Sequence, residues 1–194
     1  MVDVNKIIID SLKESSSLSE YMSNDNSFSK SLHDAANLII ETYKNQGKVM
    51  LAGNGGSAAD SQHIAAEFVG RLNFDRDPLP AISLTANTSN LTCIANDYGY
   101  EDIFVRQMNA LANKNDSLIV YTTSGTSKNI LKLIEHGREK LKSIIALTGE
   151  YTEKLEKFSD VVISVKSKKT TRIQEIHAIA GHIICECVEE TLFK

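Results

Sequence analysis

The run from Lys48 to Arg71 limits what this chain can fold into more than any other stretch. Apolar residues from Lys48 to Ala52 read as the end of a buried strand. Gly53-Asn54-Gly55-Gly56 turns the chain, and a helical pattern follows over about 57–71. A strand, a glycine turn and a helix in that order aim free backbone N–H groups at one point. The helix dipole adds about half a positive charge there, so the turn suits an anion such as phosphate. Glycines can take positive φ and leave room for a ligand against the backbone. Ser57 is a natural N-cap and a hydroxyl donor. His63 and Glu67, four residues apart, share one face of the same helix. A phosphate cradle with an imidazole and a carboxylate behind it points to sugar-phosphate chemistry.

Other readings of the stretch are weaker. Gly53-x-Gly55-x-x-Ala58 satisfies the loose dinucleotide fingerprint. That fingerprint wants an acidic residue ending the second strand about 20 residues on. Here Ala81-Ile-Ser-Leu84 runs into Thr85-Ala86-Asn87, so no nucleotide cofactor is expected. No Gly-Lys-Ser/Thr follows the loop, so it is not a Walker A turn. Standing alone, His63 and Glu67 would be an ordinary solvated helix pair.

The rest of the chain alternates strands and helices. Two helices are predicted before the first strand. The first spans 4–22 and is broken by Ser15-Ser16-Ser17; the second spans 29–45 and ends at Gly47. They pack on the sheet or pair with another subunit. After the 57–71 helix comes a loop over 73–80 that holds both prolines, then a strand over 81–84. Helices follow near 88–96 and over 101–111, separated by the turn Asn96-Asp97-Tyr98-Gly99-Tyr100. Asp116 to Tyr121 is a buried strand. It leads into Thr122-Thr123-Ser124-Gly125-Thr126-Ser127 and a helix over 128–141. Five hydroxyl residues in six positions exceed what a helix cap needs, so this second turn also reads as a phosphate site. Strands 143–148 and 160–165 flank a short helix over 151–158, and a long helix spans about 170–192. On that helix Gln174 and His182 lie about 80° apart and can face one cavity, while His177 competes from about 60° on the other side. The pattern implies an α/β fold: a three-layer, doubly wound sandwich with a parallel sheet of about five strands and two extra N-terminal helices. The chain reads as one domain over 1–194, with a helical pair over 1–46 and an α/β core over 47–194. Ligands in such folds bind beyond the carboxyl ends of the strands.

Composition excludes several classes. With 194 residues, 42% of them hydrophobic, and a net charge of −4, the chain is sized for one globular domain and carries no nucleic-acid surface. No apolar run approaches a membrane span. Met1-Val-Asp-Val-Asn-Lys lacks the basic start and long apolar segment of a secretory leader, so a cytoplasmic location is expected. Cys93, Cys185 and Cys187 make no pairing framework and read as reduced, mostly buried thiols. Cys185-x-Cys187 diverges on a helix, which argues against a metal role.

Several motifs occur together: Ala52-Gly-Asn-Gly-Gly-Ser-Ala-Ala-Asp-Ser-Gln-His63 with Glu67, Asn96-Asp-Tyr-Gly-Tyr-Glu, Thr122-Thr-Ser-Gly-Thr-Ser127, and Arg172-Ile-Gln-Glu-Ile-His177 with His182. Jointly they resemble the phosphoheptose isomerase (sedoheptulose 7-phosphate isomerase) family of the sugar isomerase (SIS) superfamily, over nearly the whole chain. The resemblance implies conversion of sedoheptulose 7-phosphate to D-glycero-D-manno-heptose 7-phosphate, for bacterial surface heptose such as that of lipopolysaccharide. It implies a cytoplasmic homotetramer with active sites at subunit interfaces, partly buried by the two leading helices. It implies substrate contacts from Asn54, Gly55, Gly56, Asn96, Asp97, Thr122, Thr123, Ser124, Ser127 and Gln174, beside the Ser57 hydroxyl and Glu67. It implies Glu67 and His182 as the catalytic pair. His63, Glu67, Gln174 and His182 match the positions that bind zinc in some members. Thr122 departs mildly from the Ser common in the family.

Aldose–ketose exchange passes through an enediol and needs a base at carbon and an acid/base at oxygen. Glu67 and His182 are assigned those roles, and no redox cofactor is required. Two His, one Glu and one Gln form an N/O donor set for zinc, although an amide is an uncommon ligand. The rival reading is a non-catalytic SIS protein that binds a sugar phosphate or a protein partner. Its phosphate turns would look the same, but binding alone does not require the four residues His63, Glu67, Gln174 and His182.

Overall fold

The computed structural model describes residues 2–194. Its centre is a five-stranded sheet in the order β2-β1-β3-β4-β5, with every pair parallel. The strands are β1 (Val49–Gly53), β2 (Ala81–Ser83), β3 (Ser117–Thr122), β4 (Ser143–Thr148) and β5 (Val161–Ser164). Parallel strands need crossovers that cover both faces, which is why β1, β3 and β4 read as continuous apolar runs and are buried throughout.

Alternate side chains feed two cores. Val49, Leu51, Ile119, Tyr121, Ile145, Leu147 and Ile163 point to one face. There they meet α2 (Asn26–Lys44), α3 (Gly56–Val69) and α8 (Thr170–Phe193). Met50, Ala52, Leu118, Val120, Ile144 and Ala146 point to the other. That face is covered by α4 (Thr88–Tyr98), α5 (Ile103–Leu111), α6 (Lys128–Gly137) and the single turn α7 (Glu153–Glu156). The three-layer α/β architecture is the one the alternation of elements predicts.

Only the second of the two leading helices packs on the sheet. Helix α2 buries Phe28, Leu32, Ala35 and Ile39 on the sheet side, and the Asp25 carboxylate caps it. Helix α1 (Val4–Ser23) lies outside and buries only Met22. Its Ile7, Ile8, Ile9 and Leu12 are exposed.

Some boundaries differ from the sequence reading. Helix α1 runs unbroken through Ser15-Ser16-Ser17. The Ser19 hydroxyl bonds back to the Ser15 carbonyl, and the Ser15 hydroxyl donates to Glu175 at 2.7 Å, so serines that compete with the backbone are occupied elsewhere. Helix α3 begins at Gly56, not Ser57, and Gly55 occupies the cap position at φ 58°. Ser57 is buried against Gly53 instead of capping. Helices α6 and α7 are shorter than predicted, and a 3-10 turn over Tyr100–Asp102 precedes α5. Only Cys185 is buried; Cys93 and Cys187 are exposed because their helical phases face outward.

One buried ion pair ties the end of α8 to the end of α3. Glu189, 1% exposed, accepts from Arg76 Nε at 3.0 Å and from the N–H groups of Leu72 and Asn73 at 3.0 and 2.8 Å. Arg76 also donates to the carbonyls of Glu67 and Phe68, at 2.8 and 2.9 Å, which are orphan acceptors of the last turn of α3. Burial alone would raise the Glu189 carboxyl; the two N–H groups and Arg76 outweigh it and hold its pKa below the usual 4.5. The stability this carboxylate contributes is therefore complete above the unfolded-state value and is lost as pH falls through the lower folded-state value. Arg76→Leu leaves a buried charge unpaired and should cost about 3–5 kcal/mol in urea unfolding at pH 7. That cost should shrink on going from pH 7 toward pH 3. A loss below about 1 kcal/mol, as for an exposed pair, would contradict this account.

Candidate active site

The strand order places two turns side by side. The chain leaves β1 toward β2 on one side and returns to β3 on the other, so β1 and β3 are neighbours at the point where the order reverses. Open α/β sheets bind ligands there, beyond the carboxyl ends. Gly53 pairs with Tyr121, so the glycine turn after β1 and the hydroxyl turn after β3 leave the sheet at the same level.

Each turn presents a helix N-terminus with no side-chain cap. Helix α3 starts behind Gly55 and α6 behind Ser127. The N–H groups of Ser57 and Ala58 turn back to the carbonyls of Asn54 and Gly55, and that of Ile130 to Asn129 Oδ1. This leaves the first N–H groups, of Gly56 in α3 and of Lys128 and Asn129 in α6, without a partner among the described residues. In the hydroxyl turn Thr122 lies 3.5 Å from Ser127, hydroxyl to hydroxyl, and Ser124 accepts from the Thr126 N–H at 3.2 Å. The Thr123 carbonyl accepts from the Gly149 N–H. Gly125 takes φ 63° with its α-carbon against the Tyr151 carbonyl, a place no side chain fits. Gln174, on the first turns of α8, lays its amide against Gly56, in the space a β-carbon would fill. Asn96 and Asp97 lie on the exposed last turn of α4, the amide of Asn96 donating to Asp97 at 2.8 Å.

Two turns along α3 a second cluster forms with α8. His63 Nε2 lies 2.8 Å from His182 Nε2 and 3.6 Å from Glu67 Oε1. The two rings meet edge to face, 4.9 Å between centroids. One donor atom from each of His63, Glu67 and His182 falls within 4.8 Å of the others. The cluster forms because the helices touch: Ile64 occupies the place of a β-carbon on Gly181, 2.6 Å from where that atom would sit. The structure thus brings three of the four predicted metal-binding residues together. It sets the fourth, Gln174, at the glycine turn, about 10 Å along α3 by helical rise. His177 points elsewhere. It is fully buried, 5.9 Å from the Tyr121 ring, with neither ring nitrogen bonded. Burial pushes its pKa down to about 4, opposed by the Thr148 carbonyl, so it is a neutral core group.

Three residues of the site escaped the sequence reading. Asp60 shares the face of His63 and Glu67, three and seven residues earlier, so helical phase alone could have found it. One of its oxygens is buried without a partner, and desolvation, opposed by His63, raises its pKa to about 6. Asn129 and Tyr100 bond to Asn54, and only the fold reveals that.

A parallel sheet with a glycine turn and a hydroxyl turn side by side at its switch point, and a His/Glu/His cluster behind one of them, has the architecture of an SIS-type α/β protein. The SIS domain model matches residues 13–149. The phosphoheptose isomerase of Aneurinibacillus thermoaerophilus is 46% identical over 98% of this chain and 96% of its own length. The phosphoheptose isomerase structure from Neisseria gonorrhoeae superposes with a TM-score of 0.90 at 34% identity, covering 97% of this chain and all of that one. That from Francisella tularensis gives 0.91 at 31% identity, covering 98% and 100%. This chain belongs to the phosphoheptose isomerase family.

If contact at Gly181 sets the helix spacing, Gly181→Ala overpacks it and should cost about 1–3 kcal/mol in urea unfolding. Ile64→Ala, which removes both the δ- and the γ-carbon that crowd Gly181, should restore part of that loss in the double variant relative to the sum of the single changes. Strict additivity of the two changes would refute the contact.

Proposed function

We propose that the protein interconverts sedoheptulose 7-phosphate and D-glycero-D-manno-heptose 7-phosphate through an enediol, supplying heptose for bacterial surface glycans. The observation that carries the reading is the approach of Glu67 and His182, 115 positions apart in sequence, beside two open helix N-termini. A sensor of sugar phosphate needs the turns but not that cluster. The family's name for its relatives' activity supplies the substrate class.

In this mechanism the N–H groups of the glycine and hydroxyl turns, with Ser124 and Ser127, hold the phosphate and the sugar's oxygens. Gln174 orients the sugar over Gly56. Glu67 takes the proton from the carbon next to the carbonyl and returns it to the neighbouring carbon. His182 gives a proton to the carbonyl oxygen and accepts one from the adjacent hydroxyl. Asn96 and Asp97 complete substrate binding in the assembled protein. Each such acid or base contributes typically about 10²–10⁴-fold.

The donor set His63, Glu67 and His182 also fits zinc. Imidazole nitrogens and a carboxylate are its common ligands, and three protein ligands leave a position open, as in catalytic zinc sites. Zinc held there by these three residues would supply Lewis acidity toward a carbonyl oxygen. It would draw on the same lone pairs that Glu67 and His182 use for proton transfer, so metal content bears directly on their roles.

The exposed apolar residues Ile7, Ile8, Ile9 and Leu12 of α1 support self-assembly into a homotetramer. Among the described residues no helix is long and apolar enough to cross a membrane, and we place the enzyme in the cytoplasm.

Incubation with sedoheptulose 7-phosphate should give the aldose by proton NMR, while five- and six-carbon ketose phosphates should not react. Glu67→Gln should keep sugar binding and lose turnover by about 10²–10⁴-fold; near-normal turnover removes Glu67 from the reaction. Protein prepared without chelator should carry about one zinc per protomer by elemental analysis, and His63→Ala should lower that content about tenfold or more. Metal-free, fully active protein would reject the zinc assignment.

A further inference from the structure

We infer that Asn129 and Tyr100 are positioning residues that lock Asn54 as a hydrogen-bond donor toward an acceptor oxygen of the substrate. The inference rests on the proposed function for the identity of the sugar, and on geometry for everything else.

Asn54 leaves β1 in the glycine turn, and Asn129 stands in the first turn of α6. Their amides bond reciprocally: Asn54 Nδ2 donates to Asn129 Oδ1, and Asn129 Nδ2 donates to Asn54 Oδ1, both at 2.9 Å. An isolated pair of amides could flip together without loss. This one cannot. The backbone N–H of Ile130 donates to Asn129 Oδ1 at 3.0 Å. A backbone N–H has no acceptor role, so the oxygen of Asn129 must face it. That fixes Asn129 Nδ2 toward Asn54 and makes the atom it meets the oxygen of Asn54. The Tyr100 hydroxyl then donates to the same oxygen at 3.0 Å.

Counting the groups gives the chemistry. The Oδ1 of Asn54 has two lone pairs and receives two donors, Asn129 and Tyr100. Its Nδ2 has two hydrogens, and one goes to Asn129. What remains is one N–H, and no acceptor capacity. Asn54 therefore recognises an acceptor, such as a phosphate or carbonyl oxygen. The polarity originates in the Ile130 N–H and passes through a residue that is 3% exposed. The same pair ties the glycine turn to the hydroxyl turn, so it also sets the spacing of the two anion sites.

Tyr100→Phe removes one exposed hydroxyl and should leave the melting temperature unchanged. It should weaken sedoheptulose 7-phosphate binding, measured calorimetrically, by about fivefold, the effect of one ordinary hydrogen bond. Asn129→Asp keeps the shape and still accepts from Ile130, but sets a carboxylate oxygen against Asn54 Oδ1. It should weaken binding by about tenfold or more, with Asn129→Gln unable to restore the pair. In an Asn54→Ala background neither change should weaken binding further, because both act through Asn54. Effects that persist in that background, or binding within twofold of wild type in both single variants, overturn the inference. If the wild-type protein binds sugar but does not convert it, the isomerase reading fails and this test still reads. If it binds none, the latch is read by urea unfolding of Asn54→Ala, Asn129→Ala and the double variant. A double variant no less stable than the weaker single supports the pair, and additive losses overturn it.

Discussion

Helices α3 and α8 run side by side so closely that Gly181 has no room for a side chain beneath Ile64. The His63/Glu67/His182 cluster depends on that contact. His63 and Glu67 lie on one helix and His182 on the other, and an imidazole reaches only a few ångströms from its backbone. A helix separation widened by a single methyl group would part the two nitrogens that now stand 2.8 Å apart. The Glu189–Arg76 clamp holds the far end of the same pair of helices, two turns past His182, by gripping the carbonyls of Glu67 and Phe68. The near end is filled by Gln174 over Gly56. Small residues, one buried ion pair and one amide thus fix the geometry along α3.

The sheet contributes a different constraint. Parallel strands end with their carbonyl edges together, and a reversal of strand order leaves two neighbouring strands whose following helices diverge to opposite faces. Helix α3 goes to one face and α6 to the other, so their N-termini flank a crevice with two positive ends. Phosphate held there would be placed by backbone, which is rigid, while in the proposed reaction proton transfer would fall to side chains further along α3. The glycine turn and the His63/Glu67/His182 cluster occupy different turns along one helix.

Some of this was legible in the chain itself. The glycine and hydroxyl turns announced themselves because strand, turn and helix follow within a few residues and the physics is local. His63 and Glu67 were visible as a pair for the same reason. The choice between His177 and His182 was not visible, since both lie within about 80° of Gln174 on the helix. Burial separates them: His177 faces Tyr121 in the core, while His182 faces His63. The Ser15-Ser16-Ser17 patch misled because its hydroxyls find partners in space, one of them on α8. Ser57 misled because a glycine with positive φ takes the cap position and begins the helix two residues sooner than a Ser57 cap would.

By itself the sequence determined the layer architecture, the glycine and hydroxyl turns between strand and helix and the residue types at hand, because hydrophobic period, glycine and capping chemistry act over a few residues. Tertiary structure alone decided which of those residues meet. The approach of α3 to α8, the pairing of Asn54 with Asn129 and the seat of Arg76 under Glu189 join positions from 75 to more than 110 apart. Such contacts follow from how two faces of a sheet are covered, and no local pattern carries that information.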